Sequence, residues 1–251
     1  MIKKNEMPLM EHLTELRKRL TIMVLANVLV AMLLFNVAGK IMDYLLAINP
    51  GMQLVYISPS ELFIVYVQLS FMVAFILCSP INIYEIWAFM EKGLYKREKI
   101  YVLVSLFFGL LCFVGGVLFC YRMVLPITLQ FFTRIAIDEV AAMISVKSYA
   151  SFVNLMLVSF GSVFEMPVLV FLFTKLEIIK PEFLKTHRGA LIVAIFILAA
   201  IITPPDVVSQ MMLAVPMVLL LQLSIYISVF VDKSNRKRHA REDKDDKLAT
   251  V

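Results

Sequence analysis

The spacing of apolar residues changes once near the start of the chain. From Met7 to Leu20 (MPLMEHLTELRKRL), Leu9, Leu13, Leu16 and Leu20 recur at helical spacing on one narrow face, with Glu11, Glu15 and Lys18 opposite. This pattern predicts an amphipathic helix lying at the water boundary of a membrane. Pro8 suits a first turn, where its missing N–H breaks no intrahelical bond. Glu11 near the start and Arg17, Lys18 and Arg19 near the end complement the helix dipole. Glu15 and Arg19, four apart, form a pair worth a few tenths of a kcal/mol, about 0.3. Beyond Leu20 the polar face disappears. Thr21 to Gly39 is a predominantly apolar run of 19 residues, enough to cross about 30 Å of hydrocarbon at about 1.5 Å per residue.

Further runs follow at intervals. Leu62 to Ile86 predicts a second span, kinked at Pro80, with Glu85 near its end. Ile100 to Tyr121 predicts a third, in which Gly109, Gly115 and Gly116 mark close helix approach. Arg122 to Ser148, with Pro126, reads as a connector holding at most a short surface helix. Tyr149 to Phe173 predicts a fourth span, interrupted at Glu165 and Pro167. Gly189 to Ile202 gives about 21 Å of helix, too short to span, before Thr203-Pro204-Pro205-Asp206 turns the chain. Val207 to Val231 is the sixth. The expected organisation is an amphipathic segment at 1–20, a six-helix membrane domain at 21–231 and a charged, disordered tail at 232–251.

Composition agrees with this all-α, polytopic reading: 61% of the 251 residues are apolar and 17% charged, with a mean hydropathy of +0.87. The 24 Lys and Arg are placed unevenly, 20 in the N-terminal segment, the two even loops and the tail against 4 in the odd loops. By the positive-inside rule both termini are cytoplasmic, as an even number of spans requires. The net charge of +5 therefore reflects orientation rather than a nucleic-acid surface. Cys78, Cys112 and Cys120 lie in apolar runs, and His12, His187 and His239 lack metal-ligand spacing, so neither a disulfide framework nor a metal centre is expected. No cofactor is implied.

Candidate chemistry rests on few residues. An ionised Glu165 inside a span costs about 2.5–3.5 kcal/mol. It reads either as a neutral acid bonded to a carbonyl freed by Pro167 or to a neighbouring helix, or as a partner-binding or proton-linked group. Thr203 and Gln210 either satisfy the backbone around Pro204 and Pro205 or offer polar groups near the outer boundary. Glu98, among Lys96, Arg97 and Lys99, reads by itself as a solvated charge. Metalloprotease, nucleophile-elbow and phosphate-loop motifs are missing from the sequence, which argues against an enzyme.

Four stretches taken together, Met7 to Leu20, Trp87 to Lys99 (WAFMEKGLYKREK), Phe160 to Pro167 (FGSVFEMP) and Thr203 to Gln210 (TPPDVVSQ), resemble TatC, the core subunit of the twin-arginine protein translocase. The resemblance implies a multi-pass protein of the bacterial cytoplasmic membrane that exports folded proteins by binding twin-arginine signal peptides, driven by the proton-motive force. It implies a signal-reading surface of Glu15, Arg17, Phe89 and Glu98. It also implies a buried Glu165, and a polar cluster of Thr203 and Gln210 that meets single-span TatA- and TatB-like partners, with self-association in the receptor complex. Lys92 stands where the family commonly has proline, and the first outer loop is shorter than is common. The rival class is a proton-coupled secondary transporter of a small solute, with Glu165 as carrier carboxylate and a midplane pocket.

Overall fold

A computed structural model describes residues 9–91, 96–135, 143–203 and 207–249. In chain order the elements are α1 (Leu9–Phe35), α2 (Ala38–Leu46), β1 (Leu54–Val55), α3 (Pro59–Leu77), α4 (Ser79–Glu91) and α5 (Lys96–Phe119). A π-helical turn (Cys120–Val124) leads into α6 (Leu125–Ile135). Then follow β2 (Ile144–Ser145), α7 (Val146–Phe164), α8 (Met166–Lys175), α9 (Pro181–Thr186), α10 (Arg188–Ile202) and α11 (Val207–Ala249). Among the described residues, five helical stretches are long and apolar enough to cross a membrane, and Arg188–Ile202 is a shorter apolar helix.

The breaks fall where backbone chemistry demands them. α3 ends at Cys78, whose φ of −82° and ψ of 0° lie outside the helical range, two residues before Pro80. Glu165 interrupts the fourth span, and Pro167 sits in the first turn of α8, where its missing N–H is harmless.

Three expectations need correction. The amphipathic opening segment is not a separate helix: α1 runs unbroken from Leu9 to Phe35, because neither Gly nor Pro occurs within it. The stretch after Tyr121 is not mainly a connector, since helix continues to Ile135. Pro126 cannot donate to the Arg122 carbonyl and would clash with it, and the wider π turn at Cys120–Val124 accommodates that missing bond. The segment from Asp232, expected to be disordered, is helical through Ala249. Its Lys, Arg, Glu and Ala residues favour helix, and Asp232 pairs with Arg236 at 2.7 Å one turn on.

The chain divides into two units, Met1–Lys99 with Ala141–Asn154, and Ile100–Val140 with Leu155–Val251. In the first, α3 packs against α1, with Val65, Leu69 and Ala74 fully buried. The strands β1 and β2 pair in parallel, Leu54 with Ile144 and Val55 with Ser145. Just beyond them the Glu61 carboxylate accepts hydrogen bonds from the Ile57 amide at 2.8 Å, the Lys147 amide at 3.0 Å and the Ser145 hydroxyl. Tyr149 donates its hydroxyl to the Leu45 carbonyl at 2.7 Å.

In the second unit α11 packs along α8 and α10 around Leu213, Ala214 and Met217. Where α5 meets α7 there is no room for side chains on the glycines. A Cβ on Gly116 would lie 2.6 Å from the Phe160 carbonyl oxygen, and one on Gly161 would lie 2.8 Å from the Phe113 ring. Gly116 lets the Phe160 backbone approach closely, and Gly161 leaves the notch that the Phe113 ring fills.

Candidate functional site

Two groups of polar residues stand out, one in each unit. In the first, α1 lies against α4, and the turn at Cys78 carries α4 to this contact. Deep in the contact, Asn27 Nδ2 donates to Asn82 Oδ1 at 2.8 Å. Two turns nearer the chain start, Arg19 joins the helices: its Nε lies 2.8 Å from Glu15 Oε1 and its Nη1 2.8 Å from Glu85 Oε2. The Glu85 side chain is 8% exposed and that of Arg19 21%, so the pair is shielded on the Glu85 side. One guanidinium between two carboxylates leaves a formal charge of −1, and the planar fork suits two acceptors at once.

The other predicted members of this group lie on α1, α4 and α5. Arg17 is exposed on α1. Phe89 is half-buried on α4, one turn beyond Glu85 and on the same face. Glu98 lies in the first turn of α5, and its side chain, like the whole of Lys92, falls outside the described residues. Thus the structure brings Glu15 to Arg19 and Glu85, with Phe89 one turn along α4. Glu85 was missed as a partner. Its signal was a carboxylate at the end of an apolar span, just past a proline.

In the second unit Glu165 sits between α7 and α8, and its carboxylate lies over Gly109 of α5: a Cβ there would meet Glu165 Oε2 at 2.7 Å. Among the described residues this carboxylate has no hydrogen bond or ion pair, so it is not bonded to a carbonyl freed by Pro167. Thr203 is buried, and its hydroxyl donates to the Ala199 carbonyl at 2.8 Å. Gln210 donates its Nε2 to the Phe196 carbonyl at 3.0 Å, tying α11 back to α10. Both therefore satisfy the backbone of the short helix, while residues 204–206 lie outside the described part.

Long apolar helices, broken at Cys78 and Glu165 and carrying carboxylates at helix contacts, define a polytopic helical membrane protein. The sequence profile of the Sec-independent protein translocase protein (TatC) matches residues 11–216. Relatives named Sec-independent protein translocase protein TatC include one from Helicobacter pylori, 40% identical over 238 residues, or 93% of this chain and 95% of the relative. Another, from Aquifex aeolicus, is 35% identical over 237 residues, covering 92% and 98%. A crystal structure of the twin arginine translocase receptor TatC is similar with a TM-score of 0.79 at 35% identity, covering 88% of this chain and 99% of that one. The chain belongs to the TatC family and is a multi-pass component of the twin-arginine protein translocase in the bacterial cytoplasmic membrane.

Proposed function

We propose that Glu15, Arg17, Phe89 and Glu98 read the twin-arginine signal of folded cargo proteins. Glu165, Thr203 and Gln210 meet the single transmembrane helices of TatA- and TatB-like subunits. Export draws on the proton-motive force, and the chain self-associates in the receptor complex as a binding and assembly subunit rather than an enzyme. The observation that carries this reading is the Arg19 guanidinium held between Glu15 and Glu85, both at 2.8 Å. The same chemistry, carboxylates set at the junction of two helices, suits the guanidinium groups of a signal peptide, and lysine, a point charge, suits it less well.

Glu15 already serves Arg19, so binding requires that an incoming arginine share or exchange this partner. Arg17 is itself a cation and acts on a part of the signal other than its arginines. Phe89 offers an aromatic face against which a guanidinium or an apolar signal residue can lie. On the other unit, the carboxylate of Glu165 over Gly109 supports a polar contact for a partner helix.

The test is binding of a twin-arginine signal peptide and its twin-lysine counterpart to the purified protein. Glu15→Gln and Glu98→Gln are each expected to weaken the twin-arginine peptide at least tenfold, about 1.4 kcal/mol, with much less effect on the twin-lysine peptide. A folded variant that binds both peptides as the parent does returns that residue to the solvated-charge reading. Glu165→Ala is expected to weaken cross-linking to a TatB-like helix while leaving signal affinity in detergent unchanged, and equal loss of both rejects the division of roles.

A further inference from the structure

We propose that the pocket between the α9–α10 junction and α11 binds one anionic phospholipid, its phosphodiester on Lys185 and Arg188 and a headgroup hydroxyl on Gln222. The pocket has a volume of about 340 Å³ and is lined by Lys185, Arg188, Gln222, Ile225, Tyr226 and Val229. Lys185 lies in the last turn of α9 and Arg188 opens α10, so two cations stand three positions apart at its mouth. Among the described residues neither forms an ion pair. The carboxylate on α9, Glu182, is paired with Arg236 at 3.1 Å and acts on Lys185 only through space, without an ion pair. Two neighbouring cations repel unless an anion lies between them, and the start of α10 adds the positive end of a helix dipole.

The remaining lining selects among anions. Gln222 Oε1 is buried without a hydrogen-bond partner, and a buried acceptor calls for a donor. Ile225 and Val229 supply an apolar wall. Tyr226, 65% exposed, has the amphipathic ring that favours headgroup depth. Inorganic phosphate would satisfy the cations but leave the apolar wall uncovered. A carboxylate from a partner helix would bring no donor for Gln222. Phosphatidylcholine carries its own cation and no hydroxyl. Phosphatidylglycerol brings a singly charged phosphodiester, hydroxyl donors and acyl chains together. The uneven Lys and Arg distribution predicts that this end of the helices faces the cytoplasmic leaflet, where basic pockets between spans meet anionic headgroups.

The experiment is native mass spectrometry of the full-length protein in detergent, titrated with phosphatidylglycerol, phosphatidic acid, phosphatidylcholine or inorganic phosphate. Phosphatidylglycerol is expected to be retained at least tenfold better than phosphatidylcholine. Lys185→Gln with Arg188→Gln should lower that retention at least tenfold, while Lys233→Gln with Lys237→Gln, a matched loss of charge outside the pocket, should leave it within twofold. Gln222→Leu should reduce phosphatidylglycerol retention at least threefold without changing that of phosphatidic acid, which has no headgroup hydroxyl. Equal retention of phosphatidylcholine, equal loss in the Lys233 and Lys237 control, or displacement of the lipid by millimolar phosphate overturns the proposal. Equal loss of phosphatidic acid in Gln222→Leu overturns the hydroxyl assignment.

Discussion

Arg19 and Glu85, 66 positions apart in the sequence, meet at 2.8 Å and fasten the start of α1 to α4. Glu15 shares the same guanidinium, so the three residues differ in what their loss leaves behind. Arg19→Gln leaves two carboxylates facing each other, one of them buried, and is expected to cost about 3 kcal/mol. Glu85→Gln keeps a hydrogen-bond acceptor and leaves Arg19 paired with Glu15, at a cost of about 1 kcal/mol. Thermal unfolding of the two variants in detergent checks the order, and a larger loss for Glu85→Gln contradicts it.

Two glycines of α5 make different demands on their neighbours. A methyl group on Gly109 would meet the far end of the Glu165 side chain, which can swing away, whereas one on Gly116 would meet the Phe160 carbonyl and the Phe164 Cβ at 2.6 and 2.8 Å. Gly116→Ala is therefore expected to destabilise by about 1–3 kcal/mol through overpacking. Gly109→Ala should leave the unfolding temperature close to the parent's while weakening cross-linking to a partner helix, because it displaces the Glu165 carboxylate. Both effects are read from the same preparations by unfolding and cross-linking yield.

The buried Asn235 explains why α11 continues past its apolar run. Its Nδ2 donates to the Thr174 carbonyl at 3.1 Å, and its Oδ1 accepts from Lys175 Nζ at 2.8 Å, so it completes the end of α8. Asn235→Ala is expected to cost about 1–3 kcal/mol for the groups left unpaired. Truncation after Asp232 should match that loss, whereas truncation after Lys237 should be nearly neutral; limited proteolysis at the end of α8 reports both.

α10 has 15 residues, about 22 Å of helix against about 30 Å of hydrocarbon. If this mismatch thins the bilayer or keeps a polar face open, inserting four leucines after Ile197 should impair export while leaving insertion and abundance intact. Export at the parental rate by that variant removes the length of α10 from the mechanism.

Much of this architecture was legible because it depends on local chemistry. Pro80 and Pro167 announced the breaks at Cys78 and Glu165, and the spacing of Glu15 and Arg19 announced their pair. What escaped depended on distant neighbours. Glu85 joins Arg19 only through the register of α1 on α4, and Asn235 is buried only because α8 ends beside it. The amphipathic stripe of Leu9 to Leu20 marked a helix but could not show that the same helix continues to Phe35, since periodicity reports a face and not an end. Thr203 and Gln210 looked equally suited to partners and to backbone, and the bonds to Ala199 and Phe196 give each a local role that sequence left open.

The two-residue ladder of β1 with β2, sealed by Glu61, bears on the order in which the chain can be completed. Each helix can enter the bilayer as it leaves the ribosome, but the Glu61 carboxylate waits for Ser145 and Lys147, 84 and 86 positions later. A nascent chain that stops after α6 holds α1 to α4 without this latch. The latch therefore closes only after β2 and the start of α7 have been made, so the Glu61 carboxylate gains these two partners late in the completion of the chain.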